Sequence, residues 1–167
     1  MSRRKVFDGR LIKVYTSKKR LPNGREAYFE EVRHPGASLI VPLFKKKIVF
    51  IRQYRGVIGR YIWELPAGTL APGETPYSCA KREVTEETGF LVKDLRKIGI
   101  IYTTPGFCNE AIHIYKARCD ARKACKLGHD ELIRVRLMSR TKVRSLFRKG
   151  RINDSKTVAA LCFAGIL

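Results

Sequence analysis

The chain has 167 residues, 44% hydrophobic and 30% charged, which is long enough to bury the core of one ordinary domain and too apolar for a disordered chain. No apolar run reaches membrane-spanning length and residues 1–5 lead into no signal-peptide core, so a soluble, cytoplasmic protein is expected. Thirty-five Lys and Arg against 15 Asp and Glu leave a net charge of +20, spread along the chain. Such a field attracts anions and makes nonspecific nucleic-acid affinity an expectation, but no finger, homeodomain or RNA-recognition motif points to a dedicated nucleic-acid function. The five cysteines are odd in number and lack C-x2-C spacing, so they read as reduced thiols. Cys119, Cys125 and His129 match no standard zinc spacing.

In chain order, residues 6–34 read as a β-hairpin. Alternating runs at 11–15 and 26–32 flank the turn Pro22-Asn23-Gly24. Strands follow at 37–44, 48–54 and 60–65, the first two joined by Lys45-Lys46-Lys47. A helix is predicted over 76–88, with Thr75 as N-cap, Pro76 in the first position and Gly89 as the stop. Strands near 91–101 and 110–119 are separated by Thr103-Thr104-Pro105-Gly106. A polar loop over 120–131 leads to a strand at 133–138 and to helices near 139–149 and 154–164, split by Gly150. The order predicts an α/β fold with a mixed sheet, an N-terminal hairpin unit (1–35) and a main domain (36–167).

The informative stretch is residues 68–90, GTLAPGETPYSCAKREVTEETGF. On the predicted helix Glu83, Glu86 and Glu87 fall three and four apart and share one side. Three carboxylates so placed repel one another unless positive charge sits among them. Lys81 and Arg82 offer part of it, and an oxygen-seeking divalent cation such as Mg²⁺ answers the arrangement better. Ahead of the helix, GTLAPGE is a loop whose backbone can approach a metal or a phosphate closely. Isolated Glu-rich helices are usually solvated surface, so the weight falls on the complete pattern.

That pattern, Gly68, Glu74, Arg82-Glu83, Val84, Glu86-Glu87, Gly89 and Phe90, resembles the Nudix hydrolase signature G-x5-E-x7-R-E-U-x-E-E-x-G-U at every fixed position. The resemblance implies an α/β/α sandwich and hydrolysis of a pyrophosphate bond with two or more Mg²⁺, for which Mn²⁺ can substitute. It assigns Glu83, Glu86, Glu87 and the Ala67 carbonyl to the metal. Glu86 and Glu87 then belong to the catalytic group as well, with Arg82 locking loop to helix through Glu74. Glu64-Leu65-Pro66-Ala67-Gly68, residues 51–55, Pro105-Gly106, the segment 130–135 and the N-terminal hairpin resemble the ADP-ribose pyrophosphatase branch. In that branch the hairpin swaps between subunits of a homodimer.

The implied substrate is a nucleoside-diphosphate sugar. ADP-ribose leads, split to AMP and ribose 5-phosphate, with GDP-mannose and related compounds as alternatives. An RNA 5′-end pyrophosphohydrolase and a catalytically silent binding module are the other classes. Arg55 and Arg52 are candidates to grip phosphate, and Glu64 to bind a ribose, a metal-bound water or only a salt-bridge partner. One of Tyr28 and Phe29 would stack on the base, and Pro105 and Gly106 would border the substrate. Trp63, His34 and His113 read as structural. Glu110 and Glu131 both lie on loops that could close over substrate and deliver a general base. Glu131 is favoured because it matches the segment where the ADP-ribose pyrophosphatase branch carries its loop glutamate, whereas Glu110 begins a strand, and Asp130 could substitute.

Overall fold

The computed structural model describes residues 3–125, 127–128 and 132–167. The N-terminal segment is a three-stranded antiparallel sheet, not the two-stranded hairpin predicted. It comprises β1 (Arg3–Asp8), β2 (Lys13–Arg20) and β3 (Glu26–Arg33). Strand β1 escaped the sequence reading because every one of its residues is exposed, so it carries no burial alternation to detect. It pairs with β2 through a bulge between Lys5 and Phe7. Polar contacts hold it: the Arg3 guanidinium lies 3.6 Å from the Tyr15 ring centre, and Asp8 pairs with Lys5 and Lys13. The turn between β2 and β3 is the one expected, with Gly24 at φ 81°.

Strands β4 (Ala37–Phe44) and β5 (Lys47–Arg55) are the centre of a seven-stranded mixed sheet. Successive side chains leave opposite faces. Leu39, Val41, Ile48 and Phe50 enter one apolar cluster, while Ile40 and Val49 enter the other. Burial on both faces is why these strands read as continuous apolar runs. Their two-residue connection places Lys45 and Lys46 at φ 45° and 64°, left-handed positions that usually go to Asn-Gly.

The remaining elements are β6 (Arg60–Glu64), β7 (Ala67–Thr69), α1 (Pro76–Thr88), β8 (Phe90–Tyr102), β9 (Ala111–Arg122), β10 (Ile133–Met138), α2 (Arg140–Arg148) and α3 (Ser155–Phe163). The sheet runs β10-β5-β4-β9-β8, with β6 on β5 and β7 on β4. The β4–β9 pair is parallel and the other pairs are antiparallel. Ala80 and Val84 of α1 pack on one face with Ile40, Val49 and Tyr115. Val143 of α2 and Ala160 and Leu161 of α3 pack on the other with Leu39, Phe50 and Ile114. The fold is an α/β/α sandwich. Strand β7, short and glycine-containing, read as loop in the sequence. It becomes a strand by pairing Ala67 with Leu39 and Gly68 with Ser38.

Strand β3 runs into the large sheet's turn at residues 104–109. Val32 donates its N–H to the Phe107 carbonyl at 2.7 Å, and its own carbonyl accepts from Asn109 N–H at 3.2 Å. Asn109 also grips the His34 backbone, accepting its N–H at Oδ1 (2.8 Å) and donating from Nδ2 to its carbonyl (3.3 Å). Among the described residues no helix is long and apolar enough to cross a membrane.

Candidate active site

Helix α1 begins and ends where its sequence dictates. The Thr75 hydroxyl accepts the Ser78 N–H at 3.1 Å, Pro76 needs no N–H partner in the first position, and Gly89 closes the helix at φ 72°. With those ends fixed, Glu83 and Glu87 turn toward strand β7 and are 8% and 3% exposed. Glu87 Oε2 accepts the Ala67 N–H at 3.1 Å. The Glu83 carboxylate lies so close over Gly68 that a Cβ there would sit 1.8 Å from its Oε1. Gly68 is therefore required for space, and the strand backbone and the helix carboxylates form one surface.

Arg82 binds this surface together. Its Nε and Nη2 donate to the two oxygens of Glu74 at 2.8 and 2.9 Å, a forked pair fixing the preceding loop to the helix. Its Nη1 donates to Glu83 Oε1 at 2.6 Å and to Glu86 Oε2 at 3.0 Å. One guanidinium thus partly offsets the repulsion among neighbouring carboxylates. The Glu74 hydrogen bond, with Glu83 and Glu86 beside it, raises the already high pKa of Arg82. Beneath Gly68, buried Cys79 donates its thiol to the Gly68 carbonyl at 3.4 Å, and burial lifts its pKa to about 11, so it is a packed thiol and no nucleophile.

The donor set is carboxylate and carbonyl oxygen, the chemistry that suits a hard divalent cation, and the Gly68 cradle brings backbone within reach of Glu83. Among the described residues no three acidic, His or Cys side chains already converge as a metal cluster, and Arg82 Nη1 bridges Glu83 and Glu86 instead. The residues fit such an ion in type. Seating it requires the carboxylates to exchange part of their hold on Arg82 for the metal.

Arg55, at the end of β5, donates from Nε and Nη2 to both oxygens of Glu64, each at 2.7 Å. Glu64 is wholly buried and also takes Lys156, which reaches across from α3. Desolvation alone would raise the Glu64 pKa, and Arg55 and Lys156 outweigh it, leaving it lowered. Both Glu64 oxygens are committed to these partners, which favours the salt-bridge alternative among its readings. The Glu64 bond chiefly, with the negative charges of Glu87 and Asp154 nearby, raises the pKa of Arg55. Arg55 thus pairs with Glu64 and lies within the electrostatic reach of Glu87.

Other candidates fall elsewhere. Arg52 is three residues from Arg55 and leaves the opposite sheet face, near Tyr61 and Trp63 at 5.7 and 5.6 Å from their ring centres. Tyr28 is 82% exposed; both it and Phe29 line a cavity of about 490 Å³ with Gly106, and Phe29 also lines one of about 270 Å³ with Pro105 and Gly106. Glu110 accepts from the Thr103 hydroxyl at 3.0 Å and faces His34 at 3.4 Å, which makes it an anchor for its own loop. Glu131 and Asp130 lie outside the described residues. Sequence reasoning missed Lys156, Thr157 and Ser38. Thr157 Oγ1 accepts the Leu65 N–H at 3.0 Å and Ser38 Oγ donates to the Pro76 carbonyl at 2.7 Å. No local pattern marks these residues, because their partners are distant in sequence.

The Arg82 hydrogen bond holds the Glu74 carboxyl at about 2, below its ordinary 4.5. A depressed folded-state pKa gives stability that is present above the ordinary value and lost as pH falls through the folded one. The stability gap between wild type and Glu74→Gln should therefore be full near neutral pH and close between about 4.5 and 2. Denaturant titrations across that range check it, and a gap independent of pH would dissociate Glu74 from charge stabilisation.

A family model described as "NUDIX domain" matches residues 32–161. The chain is 34% identical over 164 residues to the "ADP-ribose pyrophosphatase" of Bacillus subtilis (strain 168), covering 96% of this chain and 89% of that one. It is 37% identical over 159 residues to the "Methanol dehydrogenase activator" of Bacillus methanolicus, covering 93% and 86%. A crystal structure titled "ADP compounds hydrolase" superposes with a TM-score of 0.84 over 98% of this chain and 90% of that one, at 22% identity, a likeness of fold. With the signature residues on one helix, the sandwich around them and a family match over most of its length, the chain belongs to the Nudix hydrolase family.

Proposed function

We propose that this protein hydrolyses the pyrophosphate bond of ADP-ribose, giving AMP and ribose 5-phosphate. The observation that carries the reading is the carboxylate face of α1, with Glu83 and Glu87 buried against β7 and the Arg55–Glu64 pair beside Glu87. The choice of ADP-ribose rests on the Bacillus subtilis relative, which aligns over nearly the whole chain. Glu83, Glu86, Glu87 and the Ala67 carbonyl would hold Mg²⁺, two ions or more, with Mn²⁺ able to substitute. When bound, such ions neutralise the diphosphate and lower the pKa of the attacking water.

The chain's own groups supply the rest. Arg55 spends Nε and Nη2 on Glu64, which fixes its plane and leaves Nη1 for a phosphate oxygen. Phe29, beside Pro105 and Gly106, offers an aromatic face for the base, with Tyr28 the alternative. Water oxygen bonds to one phosphorus, the bond from that phosphorus to the bridging oxygen breaks, and Glu131 takes the proton of the water. Arg82 positions Glu83 and Glu86 and fixes the loop through Glu74. The N-terminal unit, residues 1–35, mediates a homodimer, and the protein works in the cytoplasm.

Glu87→Gln is nearly isosteric and should leave the circular-dichroism spectrum unchanged. Turnover should fall roughly a hundredfold or more, since a charge at the metal site is lost. The same assay, run with ADP-ribose, GDP-mannose and triphosphorylated RNA at saturating Mg²⁺, tests the substrate. Preference for either competitor overturns ADP-ribose, and near-wild-type turnover of Glu87→Gln removes Glu87 from the site.

For the base, Glu131→Gln should lower kcat far more than it changes KM and flatten the acidic limb of the pH–rate profile. Glu110→Gln should not. The reverse result moves the base to Glu110.

Light scattering should give twice the chain mass, and removal of residues 1–34 should yield a monomer or aggregate with weakened substrate binding. A monomeric, fully active wild type would contradict the dimer.

A further inference from the structure

On the face of the large sheet that carries α2 and α3 lies a groove of about 280 Å³, lined by Arg52, Arg60, Tyr61, Trp63, Arg151 and Asn153. Among the described residues no carboxylate lines it. Trp63 packs on the apolar cluster of that same face, away from α1. Arg52 stands directly opposite Arg134 in the β5–β10 pairing and opposite Trp63 in the β5–β6 pairing. Two guanidinium groups and an indole therefore sit in a row across three strands.

Like charges directly opposed weaken a sheet, and among the described residues no acidic side chain pairs with them. Among the described residues, Arg52, Arg60, Arg134 and Arg151 form no ion pair. What they have is aromatic rings. Tyr61 lies 5.7 Å from Arg52 and 5.9 Å from Arg134, and Trp63 lies 5.6 Å from Arg52. Rings tolerate a cation above them but carry no counter-charge, so the groove presents positive charge that an anionic ligand can answer.

We infer that this groove binds single-stranded nucleic acid, with phosphates on the arginines and bases stacked on Tyr61 and Trp63. Cations interleaved with aromatic rings are the chemistry of sequence-tolerant single-strand binding. A duplex keeps its base faces stacked internally, and a phosphate-only polyanion would leave the rings unused. The +20 net charge draws such a polymer toward the surface. Arg52, Tyr61 and Trp63 leave the sheet face away from the α1 carboxylates, while Arg60 sits on the edge strand opposite Arg55; the inference does not rest on the proposed hydrolysis.

The test is fluorescence anisotropy of the full chain with a short labelled oligo(dT) or oligo(U). Arg60→Ala/Arg134→Ala/Arg151→Ala should weaken binding about tenfold or more and reduce the log Kd–log salt slope by about two to three. Lys45→Ala/Lys46→Ala/Arg96→Ala removes equal charge elsewhere and should stay within about threefold of wild type. All six positions are exposed, so both variants should fold. Tyr61→Leu should cost about fivefold or more through lost stacking. Oligonucleotide should compete better than inorganic polyphosphate, duplex of equal length or AMP. Equal losses in the two triple variants would assign binding to net charge alone. Equal competition by polyphosphate or duplex, a mononucleotide site that prefers AMP, or no binding by wild type each overturns the inference.

Discussion

The guanidinium of Arg82 is the interaction on which the rest of the candidate site depends. Its hydrogen bonds to Glu74, Glu83 and Glu86 place a cation inside a group of carboxylates that would otherwise repel one another. The pairing with Glu74 ties the loop ahead of α1 to the helix itself. The loop in turn carries Gly68 and Ala67 into strand β7, where backbone and carboxylate meet at distances that leave no room for a side chain. Sequence spacing puts the glutamates on one face of the helix; Arg82 and the missing Cβ of Gly68 allow that face to press against a strand.

A second charged pair does a similar task from the sheet side. Glu64 is fully buried, and burying a carboxylate is tolerated only when its lone pairs are well matched. Arg55 takes both oxygens in a fork, and Lys156 adds a contact from the first turn of α3. Lys156 also binds Asp154, whose other oxygen caps α3 by accepting the Thr157 N–H at 3.0 Å. The start of α3 is thereby coupled to the orientation of Arg55.

The basic character of the chain is unevenly satisfied. Around α1 the cations have acidic partners, and the resulting pairs set local geometry. On the α2 and α3 face, Arg52 and Arg134 stand opposed with aromatic rings as their neighbours. One sheet therefore presents a carboxylate-rich side and an arginine-rich side, which is how a chain with a net charge of +20 can hold an acidic constellation.

The sequence by itself determined the limits of α1, because Thr75, Pro76 and Gly89 act within a few residues of the helix ends. It likewise determined which glutamates share a helical face and, through the spacing over residues 68–90, the family. The central strands were legible because residues buried on both faces must be apolar in an unbroken run. Strand β1 was not legible, since it is wholly exposed and exists only by pairing with β2. Nor was β7, whose three residues become a strand only against β4. Alternation along β5 sends Arg52 and Arg55 to opposite faces, and tertiary structure decided that α1 covers one of these faces and α2 and α3 the other. It alone brought Lys156 to Glu64 across 92 residues, because a buried carboxylate selects its partner by position in space and leaves no periodic trace in the chain.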